Sequence, residues 1–223
     1  MDTPYVSIVM EDIPSTQDEA VANAQDAPVL VVAARQTAGR GRSGSRWENA
    51  PRALAASLAV RPLGWESPQL PRLSLMAALS ARSVLGGAIA CKWPNDLVKG
   101  DGKVAGLLLE AVGDLVVIGL GVNVWWPDPP LGFAGLLDDD PGPERGPDLA
   151  RRWCDDLLIR LEQGPDRWGR EEYRRACGTI GRSIRWKPGG SGVAVDVDED
   201  GHLVVETGSG RVSLSSGAVW EIR

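Results

Sequence analysis

Residues 88–124 read AIACKWPNDLVKGDGKVAGLLLEAVGDLVVIGLGVNV, and this pattern decides the architecture. Apolar runs at Ala88–Trp93, Asp96–Lys99, Lys103–Ala111 and Asp114–Val122 are separated by Gly100-Asp101-Gly102 and Gly113-Asp114, which suit tight hairpin turns. Strand follows strand with no space for a crossover helix, so the stretch predicts an antiparallel meander.

Upstream, Gln69–Leu85 places Leu70, Leu73, Met76, Ala77 and Ser80 on one helical face before Gly86-Gly87 stops it. Arg52–Val60, bracketed by Pro51 and Pro62, reads as a strand, and so does the β-branched run Pro28–Ala34, which empties into a loop over Gln36–Trp47. Tyr5–Met10 alternates in strand fashion. Ser15 then reads as the N-cap of a short helix through Ala24, with Asp18 at the capping-box position.

Downstream, Trp126–Pro147 is rich in Pro, Gly and Asp and is expected as a surface loop. Pro147-Asp148 opens a helix with Leu149, Trp153, Leu157, Leu158 and Leu161 on one face and Gly164 past its end; Asp166–Ala176 is expected as another. Beyond Gly178 the pattern shortens to Ser183–Lys187, Val193–Asp198, Leu203–Thr207, Arg211–Leu214 and Ala218–Ile222, which predicts a small barrel. The expected organisation is α+β, with a mixed, largely antiparallel sheet and packed helices in a main domain over 1–178 and a small β-barrel domain over 179–223.

The 24 Lys and Arg against 30 Asp and Glu leave a net charge of −6, which excludes a protein that coats nucleic acid by charge alone. Any anion site must therefore be local. Cys91, Cys154 and Cys177 are widely spaced, form no CxxC and have only His202 for company, so neither a zinc centre nor a disulfide framework is expected. The N-terminus has no basic n-region, and no apolar run approaches the roughly 18 residues that span a bilayer. A cytoplasmic location is expected.

Gly39-Arg40-Gly41-Arg42-Ser43-Gly44-Ser45-Arg46-Trp47 interleaves arginines with glycines in this acidic chain. Glycines let backbone N–H groups approach oxygens, and guanidinium forks match phosphate or carboxylate; for the segment taken alone, a solvated basic loop is the lesser alternative. Its G-x-G-x-x-G spacing resembles a dinucleotide fingerprint, but Ser45–Pro51 is too short for the helix that motif must open. A phosphate-binding P-loop is excluded because Gly102-Lys103 is followed by Val104. Lys92-Trp93-Pro94-Asn95-Asp96 packs a cation, a flat ring and two oxygen-bearing side chains into one turn, and Lys103 begins an apolar strand, so its ammonium stands at the rim of buried surface. Gly119-Leu120-Gly121-Val122-Asn123 puts glycines inside a strand, where packing or a ligand can require them.

In this order the segments resemble the biotin protein ligase family. The family's GRGR-x-G-x-x-W corresponds to Gly39–Trp47, its KWPND to Lys92–Asp96, its K-x-x-G-x-L-x-E to Lys103, Gly106, Leu108 and Glu110, and its G-x-G-x-N to Gly119–Asn123, so the likeness covers residues 5–125. It implies a class II synthetase-like catalytic domain and an SH3-like C-terminal barrel. It also implies two half-reactions: ATP activates biotin to biotinyl-5'-AMP, and a lysine of a biotin carboxyl carrier protein then takes the biotinyl group.

By this resemblance Ser15, Thr16 and Gln36 hydrogen-bond the ureido ring of biotin, with Gln17, Arg40, Gly41 and Gly106 close by. Arg40, Arg42 and Lys103 carry the catalytic charge, and Arg42 and Lys103 hold the carboxylate and α-phosphate. Trp47, Lys92, Asn95, Asp96 and Asn123 line the ATP side. Magnesium travels with the phosphates, with Asp96 as its candidate protein ligand. The chain departs from the family in Gln17, where Asn is usual, and in Ser43 and Ser45, where basic residues occur. No helix-turn-helix precedes Tyr5, so neither nucleic acid nor membrane is an expected partner, whereas a homodimer through an edge strand is compatible with the pattern. The alternatives are a lipoate ligase or octanoyltransferase-like enzyme, and a non-catalytic biotin-binding module.

Overall fold

The two glycine turns fall where the sequence places them. β5 (Asp96–Lys99), β6 (Gly102–Val112) and β7 (Leu115–Trp125) run antiparallel, and Gly100 and Gly113 take φ of 60° and 64° in the connections, a backbone that any Cβ would disfavour. β4 (Ala90–Lys92) pairs with β5 at one edge. On the other side β7 pairs with β3 (Arg52–Val60), β3 with β2 (Val29–Gln36), and β2 lies parallel to the edge strand β1 (Val6–Ile13). The sheet order is therefore β1-β2-β3-β7-β6-β5-β4. The computed structural model describes residues 4–215 and 219–221.

Central strands must be apolar on both faces, and β3 and β7 are. On one face α2 (Leu70–Leu85), α3 (Arg145–Leu161) and α4 (Arg170–Ala176) close a core in which Leu54, Leu73, Met76, Ile118, Leu149 and Trp153 are fully buried. On the other face α1 (Thr16–Ala22), which joins β1 to β2, buries Ala20 against Val29, Val31 and Val117. The residues that start α1 are thereby held beside the middle of the sheet.

A second antiparallel sheet, ordered β11-β10-β9-β8-β12, is built from β8 (Ser183–Trp186), β9 (Gly190–Val197), β10 (Leu203–Thr207), β11 (Gly210–Leu214) and β12 (Val219–Glu221). Of the expected last strand, Ala218 and Ile222 lie outside the described residues. Its Ile184, Val197 and Leu203 join the core of the main sheet. Trp93 ties the two together, its Nε1 donating to Gly201 O at 3.0 Å and its backbone N to Thr179 Oγ1 at 3.1 Å. Among the described residues no helix is long and apolar enough to cross a membrane, and the three cysteines are buried free thiols.

Several boundaries differ from expectation for local reasons. Ser15 Oγ accepts from Asp18 N at 3.4 Å, but the Asp18 carboxylate, instead of completing a capping box, binds Arg40. α3 begins at Arg145, so Pro147 sits inside its first turn, where no intrahelical N–H is needed. The expected helix over 166–176 is a 3-10 turn, Pro165–Arg167, followed by α4. Residues 126–147 form more than a surface loop. Lys103 N donates to Gly132 O, Ala134 N to Lys103 O and Leu136 N to Asn123 O, and Leu136 is 8% exposed, so the segment is laced along the ends of β6 and β7.

Candidate active site

A cleft of about 430 Å³ opens on the α1 side of the main sheet. Its polar floor comes from three elements. Thr16 and Gln17 begin α1, Gln36 ends β2, and Ser57 is the one polar residue in the middle of β3. Ser57 Oγ donates to Thr16 Oγ1 at 2.7 Å, and Thr16 donates from both N and Oγ1 to Gln36 Oε1 at 2.8 and 3.0 Å. Because the Gln36 carbonyl can only accept, the direction of this chain is fixed throughout. Asn49 clamps the backbone of Gln36, donating to its O at 2.8 Å and accepting from its N at 3.2 Å. Thr16, Gln17, Gln36 and Ser57 are all buried, so they meet a ligand already arranged.

The glycine-arginine segment folds back on itself over the cleft. Gly41 N donates to Ser45 O at 2.7 Å and Trp47 N to Gly39 O at 3.0 Å, with a 3-10 turn at Arg42–Gly44 between. This lays the Trp47 ring on Gly121, where a Cβ would meet Cζ2 at 2.6 Å. The Trp47 Nε1 is buried without an acceptor among the described residues. Arg42 turns inward, half-buried, and donates to Asn95 Oδ1 at 3.2 Å; its burial lowers the guanidinium pKa, partly opposed by the nearby Asp96. Arg40 turns to the other side of the segment. Its fork donates to both Asp18 oxygens at 2.8 Å and to Glu110 Oε2 at 3.2 Å, which holds the Asp18 carboxyl below its ordinary range.

Lys103 reaches the cleft from β6, its Nζ 2.7 Å from Asp96 Oδ1 and 5.8 Å from the centroid of the Trp47 ring. The stem lies across Gly106, whose missing side chain leaves room for Cε and Nζ. At its backbone Lys103 is held by Gly132, by Ala134 and by Asn123 Nδ2, which donates to Lys103 O at 3.1 Å. Asn95 Nδ2 donates to Leu107 O at 2.6 Å, which fixes the turn carrying Lys92 and Asp96. Lys92 also lines the cleft and has no ion pair among the described residues. Arg42, Lys92 and Lys103 thus face the cleft, and Asp96 is the only half-buried carboxylate among the described residues that line it. Positive charge is thus gathered locally in an otherwise acidic chain.

Thr16, Gln17, Gln36, Arg40, Gly41, Arg42, Trp47, Lys92, Asn95, Asp96, Lys103 and Gly106 all line this one cleft. Ser15 and Asn123 are placed elsewhere. The Ser15 hydroxyl is consumed in capping α1, so Ser15→Ala is expected to lower the unfolding free energy by about 1 kcal/mol, read as a drop in the urea midpoint. An unchanged midpoint would show that the cap contributes nothing. Asn123 is fully buried; its amide holds the Lys103 carbonyl and its backbone O accepts from Leu136 N, so it supports the site from behind.

Among the lining residues, Ser57, Phe133 and Val219 were not anticipated. Ser57 had a legible signal, a lone hydroxyl in an otherwise apolar strand. Phe133 and Val219 had none, since one sits in an aperiodic segment and the other in the second sheet.

Residues 9–123 match the Biotin/lipoate A/B protein ligase family, and residues 179–219 match the Biotin protein ligase C terminal domain. The biotin–[acetyl-CoA-carboxylase] ligase of Mycobacterium tuberculosis is 34% identical over 218 residues, covering 87% of this chain and 79% of that protein. The enzyme of the same name from Paracoccus denitrificans is 31% identical, covering 85% and 89%. Among solved structures, biotin protein ligase from Aquifex aeolicus in complex with biotin and ATP superposes with a TM-score of 0.84 over 97% of this chain and 99% of that one, at 24% identity. The Leishmania major biotin protein ligase in complex with biotinyl-5-AMP gives a TM-score of 0.68 over 98% of each chain, at 26% identity.

Proposed function

The chain belongs to the Biotin/lipoate A/B protein ligase family, and from that premise we propose how its cleft performs the reaction. The protein is an ATP-dependent biotin protein ligase acting on acetyl-CoA carboxylase, with biotin and ATP as substrates. An oxygen of the biotin carboxylate attacks the α-phosphorus of ATP, the bond to pyrophosphate breaks, and biotinyl-5'-AMP forms. The ε-amine of a carrier lysine then attacks the carbonyl of this mixed anhydride, an amide forms and AMP leaves.

Both reactants of the first step are anions, so the residues must offset their repulsion before chemistry can begin. Lys103 and Arg42 hold the carboxylate and the α-phosphate, and their charges meet the charge that develops on the phosphorus oxygens. Lys92 extends the same field toward the remaining phosphates. The ureido ring lies against Thr16, Gln17 and Gln36, with Ser57 behind them. Arg40 serves as the anchor of the glycine-arginine segment rather than as a phosphate ligand, because two carboxylates already occupy its fork. Mg²⁺ commonly binds through one or two carboxylates plus phosphate oxygens, and Asp96, a half-buried carboxylate at the cleft whose Oδ1 is paired with the Lys103 ammonium at 2.7 Å, fits that donor set. When bound, the ion would offset the charge of the departing pyrophosphate.

The observation that carries this assignment is the meeting of Arg42, Lys92 and Lys103 with the Ser57–Thr16–Gln36 chain in one cleft. It also separates biotin from a saturated acyl chain. An octanoyl or lipoyl group has no ring N–H or carbonyl to offer that floor, and buried polar groups left unpaired by a wrong substrate are a strong source of rejection.

The partner is the carboxyl carrier protein of a biotin-dependent carboxylase, and the reaction runs in the cytoplasm without nucleic acid or membrane. Residues 1–178 form the catalytic unit and 179–223 the small C-terminal one, from which Val219 reaches the cleft. If the enzyme dimerises, β1 is the edge available to a second copy, with Val6 and Val9 exposed.

The test is incubation of the chain with ATP, Mg²⁺, labelled biotin and a carrier domain, beside parallel reactions with lipoate and octanoate. Label on the carrier lysine from biotin alone is expected. Transfer of lipoate or octanoate in preference to biotin, or no transfer at all, would overturn the reading.

A further inference from the structure

Glu110 sits on β6 outside the cleft, yet it holds two residues that line it. Its Oε2 accepts from Gln17 Nε2 at 3.0 Å and from Arg40 at 3.2 Å. The same Gln17 nitrogen donates to Leu108 O at 3.4 Å. A primary amide carries its donors on nitrogen and its acceptor capacity on oxygen, whereas a carboxylate and a backbone carbonyl only accept. Two acceptors on one side therefore decide which end of the Gln17 amide turns toward them. The carbonyl Oε1 is left pointing the other way, over Gly119, where an added Cβ would lie 3.2 Å from it. That oxygen is buried without a hydrogen-bond partner among the described residues, and Gln17 as a whole is 5% exposed. What it lacks is a donor.

We propose that Glu110 is a positioning residue for substrate selection: by engaging the Gln17 amide nitrogen it presents Gln17 Oε1 to a ring N–H of the substrate and so sets the preference for a cyclic urea. This rests on the reading that the biotin ring lies against Gln17. It gives the longer side chain at position 17 a reason, since the amide must reach from the first turn of α1 across β7 to a carboxylate on β6. Arg40 allows the two duties of Glu110 to be told apart, because the bidentate contact with Asp18 keeps the arginine segment anchored when Glu110 is gone.

The experiment compares biotin with biotin methylated on the ureido nitrogens, by calorimetry on the full chain and by adenylation kinetics. Glu110→Ala is expected to weaken biotin binding about tenfold while leaving the methylated analogue nearly unaffected, so the preference between the two collapses. The loss should appear in the KM for biotin and not in kcat. Glu110→Gln retains a carbonyl acceptor and should recover most of the preference, whereas Asp18→Asn, which loosens Arg40 alone, should weaken both ligands alike. Gln17→Met provides the same comparison should Glu110→Ala fail to fold. Equal weakening of both ligands in Glu110→Ala, or no recovery in Glu110→Gln, would overturn the role of Glu110 while leaving the ligase intact. A parent chain that binds neither ligand would overturn the ligase reading and this one together.

Discussion

Lys103→Met is expected to slow formation of biotinyl-5'-AMP by about 10²–10³-fold, the usual cost of removing one preorganised donor from a centre where charge develops. Methionine keeps the unbranched stem, so it can still lie across Gly106 and beneath Trp47; only the ammonium is lost. The structural penalty is small. The ion pair with Asp96 is partly exposed on both sides, at 29% and 27%, so its removal should leave the unfolding transition nearly in place. The contact with the Trp47 ring is worth about 0.5–1 kcal/mol at such a site. A variant that melts with the parent and binds biotin within a few-fold, yet exchanges pyrophosphate with ATP hundreds of times more slowly, identifies Lys103 as a group acting on the reacting phosphate. Exchange within tenfold of the parent would remove Lys103 from the reaction, and Arg42 and Lys92 would then have to supply the charge.

How much of this was legible in the sequence depends on the physical signal each feature leaves. Gly100 and Gly113 mark turns because the backbone there must be left-handed, and the apolar run 53–60 marks a strand covered on both faces. The motif segments converge because each lies at a strand end, a helix start or a loop that crosses the sheet. Ser15 and Asn123 do not line the cleft; a motif letter records that a side chain is needed and says nothing of where it points. One caps a helix, and the other holds a backbone carbonyl through its amide nitrogen. Residues 126–147 have no period to read, because they are held by single backbone hydrogen bonds to Lys103, Asn123 and Val124 rather than by a repeating face. The contacts of Glu110 with Gln17 and of Arg40 with Asp18 span 93 and 22 residues and depend on how α1 crosses the sheet, which no local pattern encodes.

Gly121→Val should give a folded but inactive enzyme. By strand propensity the substitution is favourable, since Gly weakens a strand interior and Val suits one. Sterically it is forbidden on the cleft side, where the new Cβ would meet three atoms of the Trp47 ring at 2.6 to 2.8 Å. Neither partner can yield easily. β7 is locked between β3 and β6, with Gly121 opposite Ala55 and Gly106, and the indole is a rigid plate on a segment anchored by Gly39 O and by the fork of Arg40. The ring must therefore leave, taking with it the cover over Lys103 and the inward placement of Arg42. Displacements of about 1 Å at a reacting centre cost on the order of 10²-fold, so the transfer rate is expected to fall at least that far while the urea midpoint shifts by little. Gly119→Ala, whose Cβ would lie 3.2 Å from Gln17 Oε1, should be milder and fall on biotin affinity instead. The mechanism has an internal check in the pair Gly121→Val and Trp47→Ala. If the valine acts by expelling the indole, the double variant should be no slower than the slower single one. Fully additive losses would mean that the glycine serves the strand and not the ring it faces.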